Sequence, residues 1–143
     1  MKKILIVITV LLLSAALTAC GFGMGKADKS EQIKTGQYQK ITAEKAKAMI
    51  DTKDVIIVDV RTKEEYDISH IENSILIPNE TIKNKEPLQL SDKSSTILIY
   101  CRSGRRSAEA AKKLIELGYK NVYDFGGIID WPYNTVSEKE TLT

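Results

Sequence analysis

Thr96-Ile97-Leu98-Ile99-Tyr100-Cys101-Arg102-Ser103-Gly104-Arg105-Arg106-Ser107 decides how the chain is read. Thr96 to Tyr100 is a continuous apolar run without period-two alternation, the pattern of a strand buried on both faces in a parallel sheet. From Ser107 to Leu117, the residues Ala108, Ala111, Leu114 and Ile115 recur at helical spacing, and Gly118 stands where a helix takes its left-handed C′ residue. A strand, a short loop and a helix therefore follow one another, with Cys101 at the strand's end. Ligands of open α/β sheets sit beyond the carboxyl ends of the strands, and Cys101 falls on that edge.

Upstream the same alternation repeats. Thr42 is a plausible N-cap for a helix whose apolar stripe runs through Ala43, Ala46, Met49 and Ile50. Val55-Ile56-Ile57-Val58 reads as another buried strand and delivers Asp59 and Arg61 at its carboxyl end. Thr62-Lys63-Glu64-Glu65 is a capping box that opens a short helix through Tyr66. Ile75-Leu76-Ile77 is a further apolar run stopped by Pro78. Asn79 to Ser95 is polar and poorly periodic, and reads as turn rather than core. Downstream, Val122-Tyr123 is a last short strand before Gly126-Gly127. Strands alternating with helices give an α/β fold, with a mostly parallel central sheet and helices on both faces.

At the N-terminus, Lys2 and Lys3 precede an almost unbroken apolar run from Ile4 to Leu13, which reads as a secretory signal. It ends in Leu17-Thr18-Ala19-Cys20, which resembles a bacterial lipobox. That resemblance implies cleavage after residue 19, lipidation of Cys20 and anchoring to the outer face of a bacterial membrane. An uncut transmembrane anchor is the alternative, for which about 20 apolar residues are needed. The expected organisation is a signal peptide over 1–19, the lipidated cysteine and a flexible Gly, Ser and Lys-rich linker over 20–37, one folded domain over 38–138, and a disordered tail over 139–143. Cleavage would take Lys2 and Lys3 from the 21 Lys and Arg residues and leave 19 against 19 Asp and Glu. A near-neutral mature chain implies no nucleic-acid surface. With Cys20 lipidated, Cys101 is an unpaired thiol in an oxidising compartment.

The loop gives that thiol a purpose. A strand-to-helix loop folded round a central thiol aims backbone N–H groups inward, and the following helix adds the positive end of its dipole. Such a cradle, with Arg102, Arg105 and Arg106 around it, favours the thiolate, which is the reactive form. Gly104 permits the turn. An inert buried cysteine that happens to end a strand is the bland alternative. One histidine and one free thiol make no metal-ligand set, and no cofactor is expected.

Over roughly Tyr38 to Tyr133 these residues resemble the rhodanese-like domain family. Cys101 to Ser107 resembles the active-site loop of single-domain thiosulfate sulfurtransferases. Asp59-Val60-Arg61 with Glu65-Tyr66 and His70-Ile71 is similar to the family's first signature, and Gly126-Gly127 with Trp131 to its last. Ser69-His70-Ile71-Glu72-Asn73-Ser74 departs from the family's Gly-His-Ile-x-Gly-Ala, with Asn73 able to adopt the left-handed conformation of the missing glycine. The resemblance implies a catalytic Cys101 that carries a persulfide, with Arg102, Ser103, Gly104, Arg105 and Arg106 binding substrate. Asp59, Arg61 and Ser107 would support the loop. His70 is then positional in a turn, and Trp131 packing. A thiosulfate-like donor anion, a thiol or cyanide acceptor and a monomeric state are expected.

Cys101 and Arg106 have four residues between them, one fewer than a phosphatase loop uses to wrap phosphate, so phosphatase or arsenate reductase chemistry ranks below sulfur transfer. A persulfide carrier with little turnover, or an extracytoplasmic redox sensor, are the other readings of the same thiol.

Overall fold

The computed structural model describes residues 38–138. The signal, lipobox and linker expected over 1–37, with Cys20, and the tail over 139–143 lie outside the described residues.

Five strands form one parallel sheet in the order β1-β5-β4-β2-β3. They are β1 (Gln39–Lys40), β2 (Ile56–Asp59), β3 (Ile75–Leu76), β4 (Thr96–Cys101) and β5 (Asn121–Gly127), with helices α1 (Ala43–Thr52), α2 (Lys63–Ile68) and α3 (Arg105–Glu116) between them. β4 is central because its side chains are buried whichever way they point. Ile97, Ile99 and Cys101 join Ala110, Ala111 and Leu114 of α3 on one face. Leu98 and Tyr100 join Ala46 and Met49 of α1, with Phe125 and Trp131, on the other. The fold is therefore α/β with helices on both faces.

The expected caps are present. Thr42 accepts from the Lys45 amide at 3.2 Å, and Thr62 and Glu65 form a reciprocal capping box. Asn73 has φ 63° and Gly118 φ 94°, the left-handed geometry their positions suggested.

Other boundaries and core assignments need correction. α3 begins at Arg105, two residues before Ser107, so Gly104 becomes its N-cap, with φ 93°. β2 runs one residue beyond Val58 and includes Asp59. β5 spans seven residues rather than two, because Gly127 pairs with Cys101 after a register shift. Within the stretch expected to be turn, Ile82 (1% exposed) and Leu90 (0% exposed) belong to the core on the α3 face. Tyr119 secures that stretch by donating its hydroxyl proton to the Leu90 carbonyl.

The carboxyl ends of β2 and β4 are neighbours, and Asp59 lies in register with Tyr100. From that seam the chain runs outward to β3 on one side and to β5 on the other, the place where an open sheet leaves a crevice.

Candidate active site

Cys101 ends β4 and is 1% exposed. Its sulfur nonetheless turns toward the loop, where the Gly104 amide donates to Sγ at 3.1 Å. Burial pushes the thiol pKa up. The amide and hydroxyl of Ser107 and the amides of Ser103 and Gly104 outweigh it, and the net shift is downward. Hydrogen bonds to the charged form thus win over desolvation, which is the physics expected of a reactive rather than an inert cysteine.

Ser107 is buried in the first turn of α3, and its Oγ lies 3.1 Å from the Gly104 carbonyl and 3.3 Å from that of Gly126. Its single hydroxyl proton can serve either carbonyl or the sulfur. A thiolate is the strongest acceptor of the three, because hydrogen bonds to ions are about twice as strong as neutral ones. Ser107 thus ties the Gly104 turn to β5, and its hydroxyl is among the groups that lower the thiol pKa.

The loop is pressed against β5. A Cβ on Gly127 would sit 2.3 Å from the Arg102 carbonyl oxygen and 2.7 Å from the Ser103 Cα. The Ile129 amide donates to that same Arg102 carbonyl at 3.3 Å. Gly126, at φ 91°, turns the strand there, and its amide donates to Asp124 Oδ1 at 3.0 Å. Close backbone approach, rather than any side chain, fixes the outer wall of the ring.

The four arginines near the thiol divide into two kinds. Arg61 is 5% exposed and forks onto Asp59, with Nε 3.0 Å from both carboxylate oxygens and NH2 2.6 Å from Oδ2; NH2 also donates to the Ser69 carbonyl at 2.6 Å. This buried pair ties the end of β2 to the end of α2. Arg106 forks onto Glu65, at 2.7 and 2.8 Å. Its guanidinium is thus committed, where the sequence suggested a free anion-binding fork. Glu65 is the residue that sequence reasoning missed as part of the site. Its capping box accounted for it locally, and a partner 41 residues away leaves no local signal. Arg102 is exposed and forms no ion pair among the described residues. Arg105 is 81% exposed at the side chain and only 3.9 Å from Glu109, a solvated arrangement.

His70 stacks on Tyr66 with ring centroids 3.8 Å apart, and its Nδ1 lies 2.9 Å from the Tyr66 carbonyl. Its backbone bridges Val136. This is the positional role expected of it. Trp131 packs between Phe125 and Tyr133, at 5.5 and 4.9 Å. Tyr100, wholly buried, accepts from the Ile71 amide at 3.1 Å and lies 3.2 Å from Ser74 Oγ, so β4 is pinned to the turn after α2.

The chain that places this cysteine among amides at the seam of a parallel sheet matches known proteins. The family model described as rhodanese-like domain covers residues 42–132. The chain is 39% identical over 103 residues to a protein of Photorhabdus laumondii named tRNA uridine(34) hydroxylase, a match that covers 68% of this chain and 29% of that one. The chain thus spans under a third of the length of this relative. Of solved structures, it is 34% identical to a rhodanese-like domain protein from Staphylococcus aureus, with TM-score 0.61 over 69% of this chain and 97% of that one. A rhodanese with anions from E. coli is 33% identical, with TM-score 0.54 over 59% and 99%. The chain belongs to the rhodanese-like domain family, whose chemistry in general is sulfur transfer.

Proposed function

We propose that the domain is a sulfurtransferase that moves a sulfane sulfur from an anionic donor such as thiosulfate to a thiophilic acceptor through a persulfide on Cys101. The observation that carries this reading is the Gly104 amide at 3.1 Å from Sγ, together with a thiol pKa lowered despite near-complete burial. In the first half-reaction the Cys101 thiolate attacks the outer sulfur of thiosulfate. A new S–S bond forms, the old one breaks with its electron pair on sulfite, and Cys101 keeps the transferred sulfur. In the second, an acceptor nucleophile removes it and restores the thiolate. The amides of Ser103, Gly104 and Ser107, which favour a thiolate, serve the terminal persulfide anion as well. Arg102, exposed and uncommitted, is the guanidinium best disposed to meet the donor's sulfonate oxygens.

Two half-reactions on one nucleophile predict ping-pong kinetics. Thiosulfate should add about 32 Da, one sulfur atom, to the intact protein, and cyanide or a dithiol should remove it. The Cys101→Ser variant should gain nothing. Absence of the adduct in the parent chain would reject the reading, and an adduct without turnover would leave a carrier.

The lipobox-like Leu17-Thr18-Ala19-Cys20 supports placement on the outer face of a bacterial membrane, held by lipid. Metabolic labelling with a palmitate analogue, abolished by Cys20→Ser, is the expected result. A nucleic-acid substrate forms no part of the reading for this chain, since 19 basic against 19 acidic residues after position 19 give no net attraction to phosphate.

A further inference from the structure

Four large apolar side chains stand exposed among the described residues: Ile68 at 73%, Leu88 at 93%, Ile129 at 64% and Tyr133 at 36%. Ile68, Ile129 and Tyr133 border a single depression of about 570 Å³, which Arg61, Glu65 and Arg102 of the site also line. Leu88 belongs to a separate depression in the loop before β4. Exposed apolar residues scattered singly need no explanation, whereas a cluster rimmed by polar groups marks a contact surface.

The charges around this depression are unequal. Arg61 is paired with Asp59 and Glu65 with Arg106, so their charges cancel locally. Arg102 is left as the lining cation without an ion pair among the described residues, while Arg105, at the start of α3, faces Glu109 away from the lining. The surface therefore offers apolar ledges and one uncompensated cation, Arg102, which follows the nucleophile in the chain. Ile68 and Ile129 line the hollow and still keep most of their surface in water. A small thiol inside would leave them wet, while a polypeptide segment laid across would cover both.

We infer that this depression docks the sulfur acceptor, and that the acceptor is a cysteine on a polypeptide segment carrying apolar and acidic side chains. The inference rests on the persulfide reading above and names the acceptor for it. The acceptor thiolate attacks the outer sulfur of the Cys101 persulfide. A bond forms between acceptor sulfur and transferred sulfur, the bond to Cys101 Sγ breaks, and its electron pair returns to Cys101 as thiolate. One sulfur atom changes owner and no external oxidant or reductant takes part.

The full chain, loaded with thiosulfate and weighed intact, is mixed with two synthetic peptides that each hold one central cysteine. One has leucines beside the cysteine and glutamates beyond; the other has serines and lysines in those places. Discharge is expected to be faster with the apolar, acidic peptide by about tenfold in kcat/KM. That ratio should fall toward about twofold in the double variant Ile68→Ser, Ile129→Ser, and stay unchanged in Leu88→Ser. Equal rates for the two peptides would overturn the inference, as would the same loss in Leu88→Ser. Equally fast, isoleucine-dependent discharge by 4-mercaptobenzoate would make the hollow a small-molecule pocket and overturn it too. Fluorescence anisotropy of serine analogues of both peptides reads docking without chemistry, and the same preference is expected. Docking without sulfur loading would sink only the persulfide reading, and loading without a preference only the acceptor.

Discussion

Glu65 accepts hydrogen bonds from two directions: the Thr62 amide at 3.1 Å, and both terminal nitrogens of Arg106 at 2.7 and 2.8 Å. Arg106 does most to hold its carboxyl down to about 2, against the opposing effect of burial. In the unfolded chain the same group titrates near about 4.3. Between those values the unfolded chain binds a proton that the folded one refuses, so stability rises with pH there. The contribution is complete above the unfolded value and is lost as pH drops through about 4 toward 2. Glu65→Gln should therefore cost about 1–3 kcal/mol at pH 7 and far less near pH 2. Urea midpoints at the two pH values check this, and an equal loss at both would assign Glu65 a packing role without charge. The thiol shows the same competition at a second residue, since burial opposes the charged form and directed hydrogen bonds overcome it.

At the scale of elements, the site depends on how closely β5 approaches the loop between β4 and α3. Gly127→Ala would place a methyl group 2.3 Å from the Arg102 carbonyl oxygen, a backbone atom with no rotamer to escape by. Either the loop or the strand must shift, and a loss of about 2–4 kcal/mol in stability is expected. Sulfur loading should fall with it, because the displaced segment supplies the amides around Sγ. A melting temperature within about 1 °C of the parent would show that the loop yields freely. What was legible in the sequence follows from the same physics. β2, β4, α1 and the capping box of α2 announce themselves through local patterns, because burial on both faces or an apolar stripe writes itself into consecutive residues. β1 is two polar-containing residues on a sheet edge, held by Tyr123 and Asp124 of β5, and carries no such pattern. Ile82 and Leu90 sit singly among polar neighbours, so only the fold reveals them as core. The cysteine, its glycine turn, its arginines and the Asp59–Arg61 pair were legible, but the commitment of Arg106 and the freedom of Arg102 were not. The Arg106 pairing is set by tertiary geometry, because it meets a carboxylate on a different helix.

Across the whole molecule, the segment after the 3-10 turn Ile128–Asp130 works as a strap that closes the α2 side of the domain. His70 and Val136 exchange two backbone hydrogen bonds of 2.8 Å, Glu138 donates its amide to the Asp67 carbonyl at 3.2 Å, and Ser69 meets Thr135 at 2.9 Å. The strap thus holds the turn that carries His70, and that turn meets β4 through Tyr100. Ending the chain after Asn134 removes these four bonds and leaves Trp131 in place, its indole N–H still facing the Asn134 carbonyl at 3.4 Å. Partly exposed hydrogen bonds contribute toward the low end of about 0.5–1.5 kcal/mol each, so a loss of about 2 kcal/mol is expected. For a domain of this size that is a fall of about 10 °C in melting temperature. The His70 amide, which donates to Val136, should lose its protection from hydrogen exchange well before the amides of β4, which open only with the whole sheet. If both sets exchanged at parent rates in the shortened chain, the strap would be decoration, and the packing of Trp131 against Phe125 would alone hold this side of the fold.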